Sequence, residues 1–318
     1  MVRITDLTFR SMNAASMPVE PLREFYALLV QIGADFVEVD AAAADRLGEA
    51  LIPARTALRL RPGDSAPLGF ARYVCRAGTA AGPAPLTQEV RVNDTKELVL
   101  LSRHDACPSL RVTGLPDLLL HDFRRVFARL RREAPGSVEL CPTDDCGCAS
   151  ALLTEWLLED GNGAGAFAGA GGYAPLEETL LALRMTRKYQ RHSDLSALPR
   201  ARDLYERLTG TEISPHKAVL GKDIFAVESG VHVDGVLKNA ANYEPYPPEL
   251  VGERRRIAVG KHSGRGSLRY ALAQLEQTTV AENLDALLEA VRRQAVVLHR
   301  SLTDGELLAL ARETGAVT

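Results

Sequence analysis

Two patterns of hydrophobic and polar positions alternate along the first 187 residues. Short apolar runs, which predict strands, are separated by helix-length segments whose apolar residues recur at three- and four-residue spacing. The predicted strands are Val2 to Thr8, Asp35 to Val39, Ala71 to Arg76, Glu89 to Val92, Leu110 to Thr113, Val138 to Cys141 and a weakly apolar Ala164 to Ala168, with Leu58 to Leu60 as one further candidate. The predicted helices between them include Pro21 to Ile32, Leu118 to Arg132, Ala149 to Glu159 and Leu176 to Tyr189.

This alternation is typical of βα units around a parallel sheet. It fits an open doubly wound sheet or a closed (β/α)₈ barrel, and periodicity alone does not choose between them. The glycine-rich stretch GNGAGAFAGAGG, residues 161–172, superficially resembles a dinucleotide-binding loop. No convincing strand precedes it and no acidic residue follows at a suitable distance, so a loop at the barrel end is favoured.

After Tyr189 the chain becomes polar and contains proline and glycine, which indicates a linker with one helix, Leu198 to Leu208. A small mixed unit follows, and three closing helices are predicted at Ser267 to Glu276, Leu284 to Ser301 and Asp304 to Thr314, with Thr303 or Ser301 as the cap of the last. The expected organisation is a barrel-like domain at 1–187, a linker helix with a small mixed subdomain at 188–264, and a helical subdomain at 265–318.

Composition and charge exclude several classes of function. The 318 residues are 46% hydrophobic, which suffices for a large core, and the net charge of -3 argues against a nucleic-acid-binding surface. The basic run from Arg254 to Arg256 is interpreted as a solvated edge before the strand Ile257 to Val259. No apolar stretch approaches about 18 residues, and the N-terminus has no signal-peptide pattern, so a cytoplasmic protein without membrane partners is expected.

One long segment carries a family resemblance. The sequence ESGVHVDGVLKNAANYEPYPPELVG, residues 228–252, followed by GKHSG at 260–264, resembles the segment after the barrel in homocitrate and isopropylmalate synthases. The closing helices, ending in LHRSLTDGELLALARETG at 298–315, also resemble that family. No leucine-sensing extension follows, which favours the homocitrate synthase branch.

The resemblance implies a TIM-type barrel enzyme that condenses acetyl-CoA with a 2-oxo acid. Such an acyltransferase uses a divalent metal, Mg, Mn or Zn. It further implies that His232 and Tyr243, eleven residues apart, assist proton transfer over the active site.

The barrel part departs from the family where the chemistry belongs. The family opens with D-T-T-L-R-D-G-E-Q, and this chain has DLTFRSMNA, in which Arg10 matches the arginine that holds the oxo acid and Ser11 replaces a metal-binding aspartate. The motif H-x-H-N-D-x-G becomes CPTDDCG, so that Cys141 and Thr143 replace both histidine ligands. Tyr173 stands where the family has a metal-linked asparagine.

These replacements remove the ligands that a hard cation needs. Residues i and i+2 of a strand point the same way, so an H-x-H pair directs two imidazoles at one ion. A thiol and a hydroxyl are poor ligands for Mg²⁺ or Mn²⁺. We therefore expect no divalent metal at the centre formed by Asp6, Ser11, Cys141, Thr143 and Tyr173, and no other cofactor.

The barrel is also short. About 100 residues separate the second strand from CPTDD, a deficit of one or two βα units for this fold. The missing part is placed between Gly78 and Leu110, with TAAGPAP at 79–85 as the seam. The sequence therefore predicts a shortened or incomplete (β/α) barrel with fewer than eight regular strands.

Three functions remain open. The first is a non-catalytic or repurposed homologue that acts as a binding or regulatory partner, and the second is a working acyltransferase with an altered site. The third is a thiol or soft-metal site built from Cys141, Cys146 and Cys148 beside Asp144 and Asp145, although C-x₄-C-x-C is not a standard zinc spacing and buried inert thiols are favoured. The five cysteines are expected to be free thiols.

Assembly is predicted from the segment at 228–252. It is too polar and proline-rich to form a core alone, so it needs a second surface on which to pack. We expect a homodimer, or a heterodimer with a catalytically complete paralogue, in which His232 and Tyr243 lie near the other chain's barrel.

Overall fold

A computed structural model describes residues 2–64, 66–79, 83–104, 107–159, 161–186, 193–277 and 281–317. The chain divides into two compact units, Met1–Leu220 and Gly221–Thr318. The finer division predicted at residues 187 and 264 stays a prediction. Among the described helices, none combines the length and the apolar character needed to cross a membrane.

The first unit is built around a closed barrel of eight parallel strands, each paired with its neighbour in sequence and the last paired with the first. The strands are β1 (Ile4–Asp6), β2 (Phe36–Val39), β3 (Thr56–Leu60), β4 (Arg72–Arg76), β5 (Leu86–Val92), β6 (Ser109–Gly114), β7 (Ser137–Pro142) and β8 (Asn162–Gly165). The predicted TIM-type barrel is confirmed. The expectation of fewer than eight strands is wrong, because the candidate at Leu58 to Leu60 lies within the barrel strand β3.

The barrel is shortened in its connections instead of its strands. Its helices are α1 (Val19–Ile32), α2 (Ala41–Leu47), α3 (Phe123–Glu133), α4 (Ala149–Leu158), α5 (Leu176–Met185) and α6 (Leu198–Thr209). No helix lies in the described parts of the β4–β5 connection, and between β5 and β6 the chain forms a 3-10 helix, Thr95–His104. Connections between parallel strands are usually a dozen or more residues long and contain a helix. The chain is therefore shorter than a regular barrel because helices are missing from these connections, while the strands are kept.

Local signals explain where the helices begin and end. Helix α2, which the sequence pattern did not predict, is capped at its N-terminus by Asp40, whose carboxylate accepts a hydrogen bond from the backbone N–H of Ala43 at 2.9 Å. Helix α6 ends at Gly210, which adopts a left-handed conformation. The predicted helix from Leu176 ends as α5 at Met185, and its remaining predicted residues from 187 onward lie outside the described residues.

The second unit pairs β9 (Ala226–Val227) with β10 (Arg256–Ile257) in parallel and adds four helices. These are α7 (Gly230–Lys238), α8 (Arg265–Gln274), α9 (Leu284–Leu298) and α10 (Asp304–Glu313). Apolar side chains of α8, α9 and α10, including Leu268, Leu287 and Leu307, form one buried cluster. The three predicted closing helices are confirmed, and a capping box of Thr303 with Glu306 begins the last of them.

A substitution at the end of β6 tests the close packing of the barrel. Gly114 has φ +100°, and a Cβ there would lie 2.3 Å from the carbonyl oxygen of Val92. We expect Gly114→Ala to lower the free energy of unfolding by about 2–3 kcal/mol, because backbone strain and overlap add. Gly69 is a matched control, since its φ is +110° and nothing lies within 4 Å of the added methyl. Equal losses in urea unfolding of the two variants would show that the contact with Val92 is unimportant.

Candidate functional site

The interior of the barrel carries a layer of charged side chains. Glu89 of β5, Arg111 of β6 and Glu139 of β7 lie directly across from one another in the strand register. Glu38 of β2 and Arg59 of β3 point into the same region and complete the layer. TIM barrels are usually filled by branched apolar side chains, whereas the interior of this barrel contains a layer of ion pairs.

Arg111 is the centre of this network. Its side chain is fully buried, its Nε donates to Glu139 at 2.6 Å, and its Nη1 donates to Glu38 and lies 3.5 Å from Glu89. Arg59 donates to Glu89 at 2.9 Å and to Glu38 at 3.1 Å. Each of the three carboxylates in this layer therefore meets at least one guanidinium, which is the condition for keeping a charge in a protein interior.

The arginines hold these carboxyls in the ionised form. Burial alone would raise the pKa of Glu139, but Arg111 and Arg72 outweigh burial and lower it to about 2. Burial likewise opposes ionisation of Glu89, whose pKa nevertheless falls to about 2 beside Arg59 and Arg111. At neutral pH the barrel interior is therefore a fixed array of charges.

This charged layer was not predicted from the sequence. A signal for it exists, because single charges stand in the middle of buried apolar strands, as Glu38 does in FVEV and Arg111 in SLRVTG. Parallel strands are buried on both faces, so a lone central charge in such a strand points to a buried partner. The sequence does not say which strand carries that partner.

Arg10, predicted to bind the oxo acid, lies at the end of this network. It sits in the 3-10 helix Thr8–Ser11 that follows β1, where its guanidinium donates to both oxygens of Glu89 at 2.7 and 3.2 Å. It also lies 5.3 Å from the ring of Tyr173 and 3.9 Å from Glu38. Its donors thus contact carboxylates of the chain, and its role in binding substrate stays a prediction.

The other predicted positions do gather at the C-terminal mouth of the barrel. Thr143 forms a backbone bridge with Tyr173, and its hydroxyl donates to Asp145 at 2.5 Å. The hydroxyl of Ser11 donates to the carbonyl of Thr8 at 2.9 Å. Cys141 is completely buried, and burial raises the pKa of its thiol to about 12, so the sulfur is neutral at physiological pH.

Asp6 is the carboxylate of this group. It is fully buried and accepts hydrogen bonds from the backbone N–H and the hydroxyl of Thr8, at 3.0 and 2.7 Å. Burial raises the pKa of Asp6 to about 7, although these hydrogen bonds oppose the rise. Its side chain is therefore held by its own loop, and a substantial part of the population is protonated near neutral pH.

These residues do not fit a divalent cation. A hard ion needs several charged or carbonyl oxygens, and the site offers one partly protonated carboxyl, hydroxyls already bonded to protein acceptors, and a neutral thiol. Within the described ranges, no group of three His, Cys, Asp or Glu side chains is arranged to hold a metal ion. Cys141 is buried, Cys146 is exposed and Cys148 is half-buried, and the thiol or soft-metal interpretation stays a prediction.

The glycine-rich stretch, residues 161–172, was expected to be a loop, but its first part is the strand β8 and only the part after Gly165 is a loop at the C-terminal end of the barrel. Its segment Phe167–Gly172 contains left-handed residues, among them Gly169 and Gly171. Several of its backbone N–H groups are used inside the protein: Phe167 donates to Thr8 at 2.8 Å and Ala168 donates to Glu177 at 2.9 Å. These bonds tie the end of β8 to β1 and α5.

His232 and Tyr243 lie together in the second unit. His232 is on α7, Tyr243 follows that helix, and their rings are 6.1 Å apart. A Cβ on Gly235 would lie 2.2 Å from the hydroxyl of Tyr243, so the glycine makes room for the phenol against the helix. Both side chains are exposed, and they are available to a group outside this unit.

Comparison with known proteins connects the second unit to one family. Residues 219–298 match the family described as homocitrate synthase post-HMGL domain-like. That stretch contains His232, Tyr243 and the motif GKHSG, the residues on which the resemblance rests.

Curated relatives extend the likeness. The chain is 30% identical over 206 residues to the homocitrate synthase, omega subunit, of Clostridium pasteurianum, covering 64% of this chain and 58% of that protein. It is 40% identical over 194 residues to the homocitrate synthase of Frankia sp. strain FaC1, covering 58% of this chain and 47% of that protein. It is also 40% identical over 142 residues to an (R)-citramalate synthase of Methanocaldococcus jannaschii, covering 45% and 29%. The chain spans about half the length of the curated homocitrate synthases it matches.

Proposed function

We propose that this chain is a homocitrate-synthase-like protein of the homocitrate synthase and isopropylmalate synthase family, and that it does not catalyse the metal-dependent condensation by itself. We further propose that it acts as a partner subunit of a catalytically complete paralogue. The observation that carries the proposal is the set of side chains at the family's metal positions: Ser11, the buried neutral thiol of Cys141, Thr143 and Tyr173.

The loss of the metal weighs more than what the chain retains. In the family reaction a divalent metal polarises the keto group of the 2-oxo acid, which contributes several kcal/mol of transition-state stabilisation. Each 1.36 kcal/mol changes the rate about tenfold. General acid and base groups typically contribute about 10²- to 10⁴-fold, so His232 and Tyr243 alone do not replace the metal.

Two observations support a partner role. One relative is named as the omega subunit of homocitrate synthase, and this name supports the proposal that the present chain also acts as a subunit. In this chain His232 and Tyr243 keep their spacing and lie exposed beside each other on and after α7. An acid–base pair that is kept on an open surface is suited to serve a site on another chain.

A turnover assay tests the proposal. The chain, a paralogue that keeps the family's metal-ligand motifs, and their mixture are each supplied with acetyl-CoA, 2-oxoglutarate and Mg²⁺ or Mn²⁺, and release of free CoA is measured. We expect no turnover by the chain alone and a higher turnover by the mixture than by the paralogue alone. His232→Ala is expected to lower the turnover that the chain adds by about a hundredfold, because a proton-transfer group is lost.

Two variants serve as controls. Asp234→Asn changes an exposed residue of the same helix, one that pairs with Lys238 at 2.6 Å, and should leave the turnover of the mixture unchanged. Cys141→Ala should also leave it unchanged. Metal-dependent turnover by the chain alone would establish an active acyltransferase and refute the non-catalytic role. Light scattering that shows a monomer, alone and with the paralogue, would refute the role as a subunit.

A further inference from the structure

A second concave site lies at the opposite end of the barrel from Arg10 and Asp6. A cavity of 540 Å³ opens among the N-terminal ends of the strands, and its lining includes Arg3, Phe36, Arg72, Ser109 and Asn162. Active sites of TIM barrels are built at the C-terminal ends of the strands, so this cavity is separate from the site described above. Its volume falls within the range of small-molecule pockets, about 300–1,000 Å³.

Arg72 brings an incompletely neutralised charge to this cavity. Its Nη2 donates to Glu139 at 2.7 Å and to the hydroxyl of Thr5 at 2.8 Å. Glu139 also accepts from Arg111 at 2.6 Å, so one carboxylate serves two guanidinium groups. The Nε of Arg72 is buried and has no hydrogen-bond acceptor among the residues that the structure describes.

Arg3 adds a second guanidinium. It lies 5.8 Å from the centre of the Phe36 ring, and Arg72 lies 5.1 Å from the centre of the same ring. Its side chain forms no ion pair with any carboxylate in the described part of the chain. The backbone N–H of Arg3 donates to the side-chain oxygen of Asn162 at 3.0 Å, which leaves the amide NH₂ of Asn162 as a further donor at the cavity.

The charge balance of the barrel favours an anion at this end. The interior arginines at positions 10, 59, 72 and 111 face the carboxyls of Glu38, Glu89 and Glu139. Arg3 adds one more positive charge at the cavity. The lining also includes three hydroxyls: that of Ser137 donates to the carbonyl of Pro108, and those of Thr87 and Ser109 bond each other at 3.1 Å. Two guanidinium groups that line one concave surface match the acceptors of an oxyanion.

We propose that the cavity at the N-terminal end of the barrel binds a small molecule that carries a phosphate or carboxylate group, held by Arg3, Arg72 and the amide of Asn162. The bound oxyanion balances the excess positive charge. The site does not depend on the proposed subunit role, because every residue that lines the cavity belongs to the first unit.

Calorimetric titration of the full chain tests the site, with inorganic phosphate and citrate as separate probes at constant low ionic strength. We expect saturable binding of at least one probe to a single site, and the stronger probe identifies the type of oxyanion. Arg3→Gln should weaken that binding by roughly 10- to 100-fold, because one charge-assisted hydrogen-bonding group is lost. Arg3 is exposed, so this change should leave the unfolding midpoint unaltered.

Two further variants keep the test specific. Arg91→Gln removes an exposed arginine whose guanidinium bonds Asn93 at the other end of the barrel, and it should leave binding unchanged. Asn162→Asp keeps the oxygen that accepts from Arg3 and adds a negative charge, so it should abolish binding. Absence of saturable binding of both probes at millimolar concentration would overturn the proposal. Equal weakening by Arg3→Gln and Arg91→Gln would show attraction by net charge without a site, and would overturn it too.

Discussion

Replacing Arg111 by Met should lower the free energy of unfolding of the barrel unit by about 3–5 kcal/mol, because it removes a fully buried guanidinium that bonds Glu38 and Glu139. The arginines that remain beside these carboxylates, Arg59 and Arg72, are less completely buried. Arg111 is fully buried and contacts Glu38, Glu89 and Glu139, two of which are themselves completely enclosed. Urea unfolding followed by tryptophan fluorescence measures the change. Trp156 is the single tryptophan of the chain and packs in the barrel unit against Phe127, so its signal reports on that unit.

Two comparisons make this prediction specific. Arg200→Met removes an arginine that donates two hydrogen bonds to the carboxylate of Glu24, at 2.6 and 2.8 Å. This ion pair is exposed, so its loss should cause no measurable change in the free energy of unfolding. Adding Glu139→Gln to Arg111→Met removes one of the buried charges that lost a hydrogen bond, so the double variant should lose less stability than the sum of the single variants. A wild-type midpoint for Arg111→Met would mean that the network does not depend on its central guanidinium.

The second large effect concerns Asp6 and pH. Its folded-state pKa of about 7 lies above its ordinary value of 3.8, because burial disfavours the charged carboxylate. The folded protein therefore binds this proton more tightly than the unfolded chain does. The resulting stability is complete below about pH 4 and is lost as the pH rises to about 7, by a total on the order of 4 kcal/mol. Asp6→Asn lacks this loss, so its stability relative to wild type should increase across the same interval.

Urea unfolding of both proteins from pH 4.5 to pH 8 gives this difference directly. Glu89 and Glu139 act in the opposite sense, because their pKa values of about 2 lie below the ordinary pKa of a glutamate. The stability that they contribute is therefore lost only as the pH falls below that ordinary pKa. Asp194→Asn is a control, since hydrogen bonds from Ser196 and Gln31 lower the pKa of Asp194. Its difference from wild type should be constant over the interval. A constant difference for Asp6→Asn as well would show that Asp6 ionises with an ordinary pKa.

The sequence alone determined most of the strand positions and the closing helices. Apolar runs such as Val138 to Cys141 lie within barrel strands, because a parallel strand buried on both faces has to be apolar. The capped helix α10 was predicted because its capping signal is local. The expected replacement of metal ligands at positions 11, 141, 143 and 173 also comes from the sequence, since motif spacing does not depend on knowing the fold, and it stays a prediction.

Only the tertiary structure decided how the barrel closes and what fills it. The length of the chain predicts an incomplete barrel if every connection between strands contains a helix. The structure keeps all eight strands because several connections have no α-helix among their described residues. One partner of Glu38 is Arg111, 73 residues further along the chain, and that pairing depends on the register of strands around a closed barrel. The raised pKa of Asp6 likewise depends on burial. Local patterns specify elements, whereas long-range packing specifies which charges meet and which are shielded from water.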